Sequence, residues 1–164
     1  MKLNLREIIE IPGGSVQFAQ ELDTALLDFP SVRAYTAPIT AEGKVVNTAG
    51  ILTLQGKLHA QMLCVCDRCG AEFPRTVDLD LHADITADAQ DDDPEVFTLD
   101  GDWLDVDEVL STCFILSMDT KCLCKPDCAG LCDRCGANLN LGPCRCQKPR
   151  DPRMAVFCLL YTSP

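Results

Sequence analysis

The stretch Leu52-Thr53-Leu54-Gln55-Gly56-Lys57-Leu58-His59-Ala60-Gln61-Met62-Leu63-Cys64-Val65-Cys66-Asp67-Arg68-Cys69-Gly70 decides how this chain folds. Leu52, Leu54, Gly56, Leu58, Ala60, Met62, Cys64 and Cys66 alternate with Thr53, Gln55, Lys57, His59 and Gln61. A period of two puts each set on its own face, the mark of a half-buried strand. After Gly70 the alternation resumes, with Phe73, Val77, Leu79, Leu81, Ala83 and Ile85 against Thr76, Asp78, Asp80, His82 and Asp84. The two runs predict an antiparallel hairpin whose turn is Cys66-Asp67-Arg68-Cys69-Gly70. Upstream, a third strand is expected around residues 37–46, closed by the turn-prone Asn47-Thr48-Ala49-Gly50. Residues 15–29 suit a helix through Phe18, Leu22, Ala25, Leu26 and Phe29, or a strand through Val16, Phe18 and Leu22; strand is preferred.

Downstream, residues 88–102 are centred on Asp91-Asp92-Asp93-Pro94 and are expected to form a flexible acidic loop. A helix should then run over 105–117. Asp105 occupies a capping position with Glu108 three residues later, and Val106, Val109, Leu110, Cys113 and Phe114 share the face that would lie across the sheet. The expected class is α+β: an antiparallel β-sheet with one packed helix and a C-terminal cysteine-rich zinc-binding segment. A chain of 164 residues suits one main domain, 1–118, with an appended module, 119–153. That module has little hydrophobic periodicity, so metal rather than an apolar core must order it.

The hexapeptide Cys-Asp-Arg-Cys-Gly-Ala occurs at residues 66–71 and again at 132–137. Two thiolates separated by two residues can converge on one tetrahedral zinc at about 2.3 Å, and the following Gly tolerates the positive φ that turns the loop around the ion. Cys144 and Cys146 complete a four-thiolate set with Cys132 and Cys135 across a short loop. Cys66 and Cys69 need two more ligands, and Cys124 with Cys128 are the best remaining pair, which would staple the tail to the hairpin tip. Two structural zinc ions are expected. Spacing alone leaves two alternatives open. The knuckles could share one ribbon-like site, leaving Cys124, Cys128, Cys144 and Cys146 for the other, and Cys122 could stand in for Cys124. Cys64 and Cys113 fall on apolar faces and read as small core residues.

The amino terminus shows no apolar run behind a positive cluster, and no stretch approaches the roughly 18 apolar residues of a membrane span. The expectation is a reducing, cytoplasmic setting, where twelve cysteines are metal ligands rather than disulfides. A redox role for Cys66 and Cys69 is disfavoured because the pair joins two antiparallel strands, not a strand and a helix. The net charge of −11 argues against broad binding to nucleic-acid backbone and favours basic partners. Residues 78–108 hold thirteen acids and no Lys or Arg, whereas residues 121–153 hold seven basic residues against three acids.

Catalytic chemistry is thin. Four thiolates per ion leave no open position for water, so the chain reads as a non-enzyme. His59 and His82 fall on polar strand faces and read as surface residues. A phosphate loop at residues 50–58 is rejected, because five residues separate Gly50 from Gly56 and Leu58 occupies the required Ser or Thr position. Trp103 reads as an anchor for the acidic loop; exposed, it would be a partner contact.

The order of these features resembles the YceD family, the large ribosomal RNA subunit accumulation proteins. The likeness rests on Cys66-Asp67-Arg68-Cys69 after a strand, the helix capped by Asp105, and Leu123-Cys124-Lys125-Pro126-Asp127-Cys128-Ala129-Gly130-Leu131-Cys132. It continues through Cys135-Gly136-Ala137-Asn138-Leu139-Asn140, Gly142-Pro143-Cys144-Arg145-Cys146 and Asp151-Pro152-Arg153. Some members of that family carry the first knuckle with a reduced tail, which favours pairing Cys66 and Cys69 with the Cys124 and Cys128 region. Cys122, within Met118-Asp119-Thr120-Lys121-Cys122, departs from the family pattern.

The resemblance implies a role in accumulation or maturation of large-subunit ribosomal RNA and no established catalytic activity. Combined with the charge, it suggests an acidic adaptor for a basic ribosomal protein or assembly factor on a large-subunit precursor. RNA contact would be confined to Lys125, Arg134, Arg145, Lys148 and Arg150. The alternative is a zinc-ribbon nucleic-acid binder, whose affinity would fall steeply with salt. The last residues, Cys158-Leu159-Leu160-Tyr161-Thr162-Ser163-Pro164, read as a translated sequencing adapter, so the native chain is expected to depart from this one near Phe157.

Overall fold

A computed structural model of the chain describes residues 1–86 and 96–146. In chain order the elements are β1 (Lys2–Asn4), α1 (Arg6–Ile9), β2 (Ser15–Leu22), β3 (Val32–Tyr35), β4 (Ile39–Thr48), β5 (Ile51–Val65), β6 (Glu72–Thr86), β7 (Val96–Thr98), β8 (Trp103–Asp105) and α2 (Val106–Ser117). The main sheet runs β2-β4-β5-β6-β7, with β3 pairing the far end of β5 beyond β4. All its ladders are antiparallel except β6 with β7. The expected hairpin is the centre of this sheet, two strands of fifteen residues each in one register from Leu52↔Ile85 to Val65↔Glu72.

The alternation read from the sequence becomes a buried face. Leu54, Leu58, Ala60, Met62 and Cys64 of β5 are almost fully buried with Ile39 and Val45 of β4, and α2 closes that face with Val106, Val109, Leu110 and Phe114. Phe29 and Phe114 meet edge to face at 5.9 Å, a favourable aromatic geometry. Asp105 caps α2 as expected, its Oδ1 accepting from the Asp107 backbone N–H at 3.1 Å. His59 and His82 lie on the polar side. His82 is exposed, while half-buried His59 pairs across strands with Asp78 at 2.6 Å.

Two local devices set the sheet's shape. Gly43 and Gly56 face each other across β4 and β5, and a Cβ on Gly43 would lie 2.3 Å from the Gln55 carbonyl oxygen, so only glycine permits this approach. At the β4–β5 turn, Ala49 and Gly50 both have positive φ, 54° and 94°, the hallmark of a type I′ hairpin turn. Buried Asn47 locks it. Its Oδ1 accepts from the Gly50 N–H at 2.8 Å, while its Nδ2 donates to the carbonyls of Ile8 and Ile9 at 2.7 and 2.8 Å, tying α1 to the sheet.

Part of the expected acidic loop is ordered. Residues 88–95 of that expectation lie outside the described residues, but Val96–Thr98 adds a strand to β6, and Trp103–Asp105 pairs with β1 in a two-stranded ribbon. The acids there leave Phe97, Leu99 and Leu104 free to pack, and backbone pairing does the rest. Trp103 is 45% exposed; its backbone, bonded to Asp100, rather than its indole holds the turn. Lys148, Arg150 and residues 158–164 lie outside the described residues. No helix among the described residues is long and apolar enough to cross a membrane.

Candidate metal centres

The two hexapeptides fold alike. In the first, the Cys66 N–H donates to the Ala71 carbonyl at 2.9 Å and the Gly70 N–H to the Cys66 carbonyl at 2.8 Å. In the second, the Cys132 N–H donates to the Ala137 carbonyl at 2.8 Å and the Gly136 N–H to the Cys132 carbonyl at 2.9 Å. Gly70 and Gly136 have φ of 66° and 70°, a left-handed conformation that any Cβ would strain. Both turns therefore aim their two cysteine sulfurs to the same side.

Each turn meets two further thiols. Cys66, Cys69, Cys124 and Cys128 form one group, and Cys132, Cys135, Cys144 and Cys146 the other; within each, all four Sγ atoms lie within 4.8 Å of one another. Close pairs are Cys66–Cys128 at 3.8 Å, Cys69–Cys124 at 3.7 Å and Cys132–Cys144 at 3.4 Å. A tetrahedral zinc with Zn–S bonds of about 2.3 Å requires sulfurs about 3.8 Å apart. The donor set fits such an ion in number, chemistry and spacing. Each group could hold one metal ion. The ribbon-like alternative, with both knuckles on one ion, is not the arrangement the chain adopts, and Cys122 joins neither group.

Cys122 is instead buried in the main core near Cys64, with its Sγ 3.9 Å from Arg75 Nη1; Arg75 also binds Asp119 at 2.5 Å. Cys64 is fully buried on β5, and Cys113 is half-buried on α2.

The protonation chemistry of each group is that of anions crowded together. Burial alone would raise the Cys66 thiol, but the backbone N–H groups of Cys124, Arg68 and Cys69 outweigh it and bring it down to about 6. Burial and then the neighbouring thiols of Cys69, Cys66 and Cys128 push Cys124 up to about 12. In the second group the backbone N–H groups of Cys135 and Arg134 lower Cys132 to about 7, while the Cys135 thiol and then burial raise Cys146 to about 12. In each group, then, one thiol ionises early while another clings to its proton. A bound dication removes that conflict by neutralising the charge.

Residues outside the cysteine pattern build the rest. Asp67 clamps the tail in both directions: its N–H donates to the Cys122 carbonyl at 2.8 Å and its Oδ2 accepts from the Cys122 N–H at 2.6 Å. Arg68 Nη1 donates to the Cys128 carbonyl at 2.9 Å, and its own carbonyl accepts from the Leu131 N–H at 3.0 Å. Asn140, in the loop between Cys135 and Cys144, donates from Nδ2 to the Cys128 sulfur at 3.3 Å while its Oδ1 accepts from the Ala129 N–H at 2.9 Å. A side chain in the loop of one centre thus steadies a sulfur of the other. The only sequence signal for these roles was the Asp-Arg pair kept between the cysteines of both hexapeptides and the Asn138-Leu139-Asn140 run.

The family model for the large ribosomal RNA subunit accumulation protein YceD matches residues 54–160. The chain belongs to the YceD family. The YceD match opens within β5 and takes in both hexapeptides and all eight clustered thiols. Among curated proteins the chain is similar to the large ribosomal RNA subunit accumulation protein YCED homolog 1, chloroplastic, of Zea mays, at 24% identity over 147 residues. That alignment covers 70% of this chain and 50% of the maize protein, so the chain spans about half the length of the curated relative it matches. No solved structure matches it.

Proposed function

We propose that this chain is a non-catalytic zinc protein that supports accumulation and maturation of large-subunit ribosomal RNA, acting through protein contacts in a reducing, cytoplasmic compartment. The observation that carries the reading is the family match running across two closed four-thiolate groups. The family is described by accumulation of an RNA rather than by a reaction. Eight thiols in two sets of four give each ion a full tetrahedral shell, which suits a structural ion and leaves no ligand position for a reacting water. When bound, the ions supply cross-links: the first joins the tip of the β5–β6 hairpin to the tail, and the second closes the tail on itself.

The partner we infer is a basic ribosomal protein or assembly factor on a large-subunit precursor. The net charge of −11 supports this, since an acidic surface attracts cationic partners and repels bare phosphate. Any RNA contact falls to the tail, through Lys125, Arg134, Arg145, Lys148 and Arg150, which neighbour the thiols in sequence. Cosedimentation with large-subunit precursors and a drop in large-subunit ribosomal RNA on depletion are the expected results. Unchanged ribosomal RNA on depletion would refute the role.

A further inference from the structure

We propose that the outer edge of β6 is a docking site for an extended segment of a protein partner in which Lys or Arg alternates with apolar residues. This deepens the reading above and rests on its basic protein partner.

The register defines the edge. β6 pairs with β5 from Glu72 to Ile85 but with β7 only at Asp84, Ile85 and Thr86. The Cys66 N–H bonds the Ala71 carbonyl in the same register as the hairpin, so odd-numbered residues of β6 turn their backbone groups to β5 and even-numbered ones turn theirs outward. Pro74 agrees: a residue with no N–H is tolerated in a sheet where that position faces an edge. The outward backbone groups of Thr76, Asp78, Asp80 and His82 have no backbone partner among the described residues. Such a row of unpaired donors and acceptors is a template for an added strand.

The surroundings select the strand. A groove of about 400 Å³ follows this edge toward β7; Leu79, Leu81, Phe97 and Leu116 give it an apolar side, and Asp80, His82 and Asp84 give it a polar, acidic one. Leu116 of α2 is 64% exposed there. On the opposite face of the strand, Asp78 and Asp80 are 79% and 91% exposed; Asp78 meets His59 at 2.6 Å and Asp80 lies 3.9 Å from Lys57 Nζ, both on β5, and each carboxylate still presents most of its surface to solvent. No Lys or Arg occurs from residue 78 to 108, so β7 and α2 bring no cation to this side. An added strand would therefore set alternate side chains against apolar groove and against carboxylates, which cross-strand pairing rewards when they are apolar and cationic in turn. A second copy presents acid against acid, which disfavours self-pairing.

The test uses the full, metal-loaded chain labelled with ¹⁵N and a short capped peptide alternating Lys and Val, with a Glu–Val peptide as control. The Lys–Val peptide should slow amide exchange of Thr76, Asp78, Asp80 and His82, and the Glu–Val peptide should not. Thr76→Pro with Asp80→Pro removes two outward donors without touching the β5 ladder and should weaken Lys–Val binding about tenfold or more. Asp78→Lys with Asp80→Lys, both exposed positions, should reverse the preference toward Glu–Val.

Three outcomes overturn the proposal. They are unaltered binding to the proline variant, protection of these amides in the monomer before peptide is added, and protection that grows with protein concentration. The second would mean that the chain's own segment covers the edge, and the third that a second copy does. Lost docking with intact precursor cosedimentation would sink the edge alone, while intact docking without cosedimentation would sink the ribosomal role alone.

Discussion

One hexapeptide appears twice in this chain with the same backbone hydrogen bonds and the same left-handed glycine, yet its two copies live in unlike surroundings. The first is the turn between two fifteen-residue strands, with Cys66 2% exposed and Cys69 8%. The second lies in a tail whose regular structure, among the described residues, amounts to one isolated bridge and one short 3₁₀ turn, and its Cys135 is exposed. The difference teaches that the hexapeptide encodes its turn locally, while the source of its stability is borrowed. One copy leans on a sheet and its core; the other rests on a few backbone hydrogen bonds and on four thiols that could hold a metal ion.

Removing the metal should separate the two copies most sharply. A chelator should strip order from the tail while strand content survives, because structural zinc contributes about 10 kcal/mol or more to small thiolate modules and the sheet has its own core. Circular dichroism with amide exchange would show it; loss of the sheet together with the tail would mean both regions depend on metal alike.

The reverse lesion is Phe114→Ala, which empties the contact of α2 with Phe29. Urea unfolding should report a loss of about 3–5 kcal/mol from the sheet domain. Metal content should stay unchanged.

A smaller effect sharpens the link between the copies. Asn140→Ala removes the donor to the Cys128 sulfur and should lower metal affinity of the first centre about tenfold, as loss of outer-shell hydrogen bonds to ligands does. Chelator competition should show the second centre changed less. The smallest effect lies far from metal, at the type I′ turn. Ala49 holds φ of 54° without glycine's freedom, so Ala49→Asn should stabilise the sheet by about 0.5–1 kcal/mol in the same urea assay.

The central hairpin was legible because its alternation is long and its burial one-sided, and α2 because a capping Asp105 precedes apolar residues at helical spacing; over residues 15–29 helix and strand patterns competed, and the preferred strand forms only over Ser15–Leu22. The Cys132, Cys135, Cys144 and Cys146 group followed from a short loop, whereas Cys124 and Cys128 fell to the first knuckle as the best remaining pair, an assignment that spacing alone left open. What stayed hidden has physical reasons. β7 and the β1–β8 ribbon are three residues each, too short for periodicity to register, and acidic neighbours masked Val96 and Phe97. Asp67, Arg68 and Asn140 act through contacts to residues distant in sequence, which no spacing rule reports. Cys122, a candidate stand-in ligand by position, is taken by the core beside Cys64 because the Asp67 clamp turns its backbone there.

The most direct measurement is the zinc content of the purified chain, taken under reducing conditions, together with that of Cys69→Ser and Cys135→Ser variants. Two ions are expected in the parent chain and one in each variant, with the Cys135→Ser protein keeping its sheet. A parent chain free of zinc, or variants that both retain two ions, would contradict it.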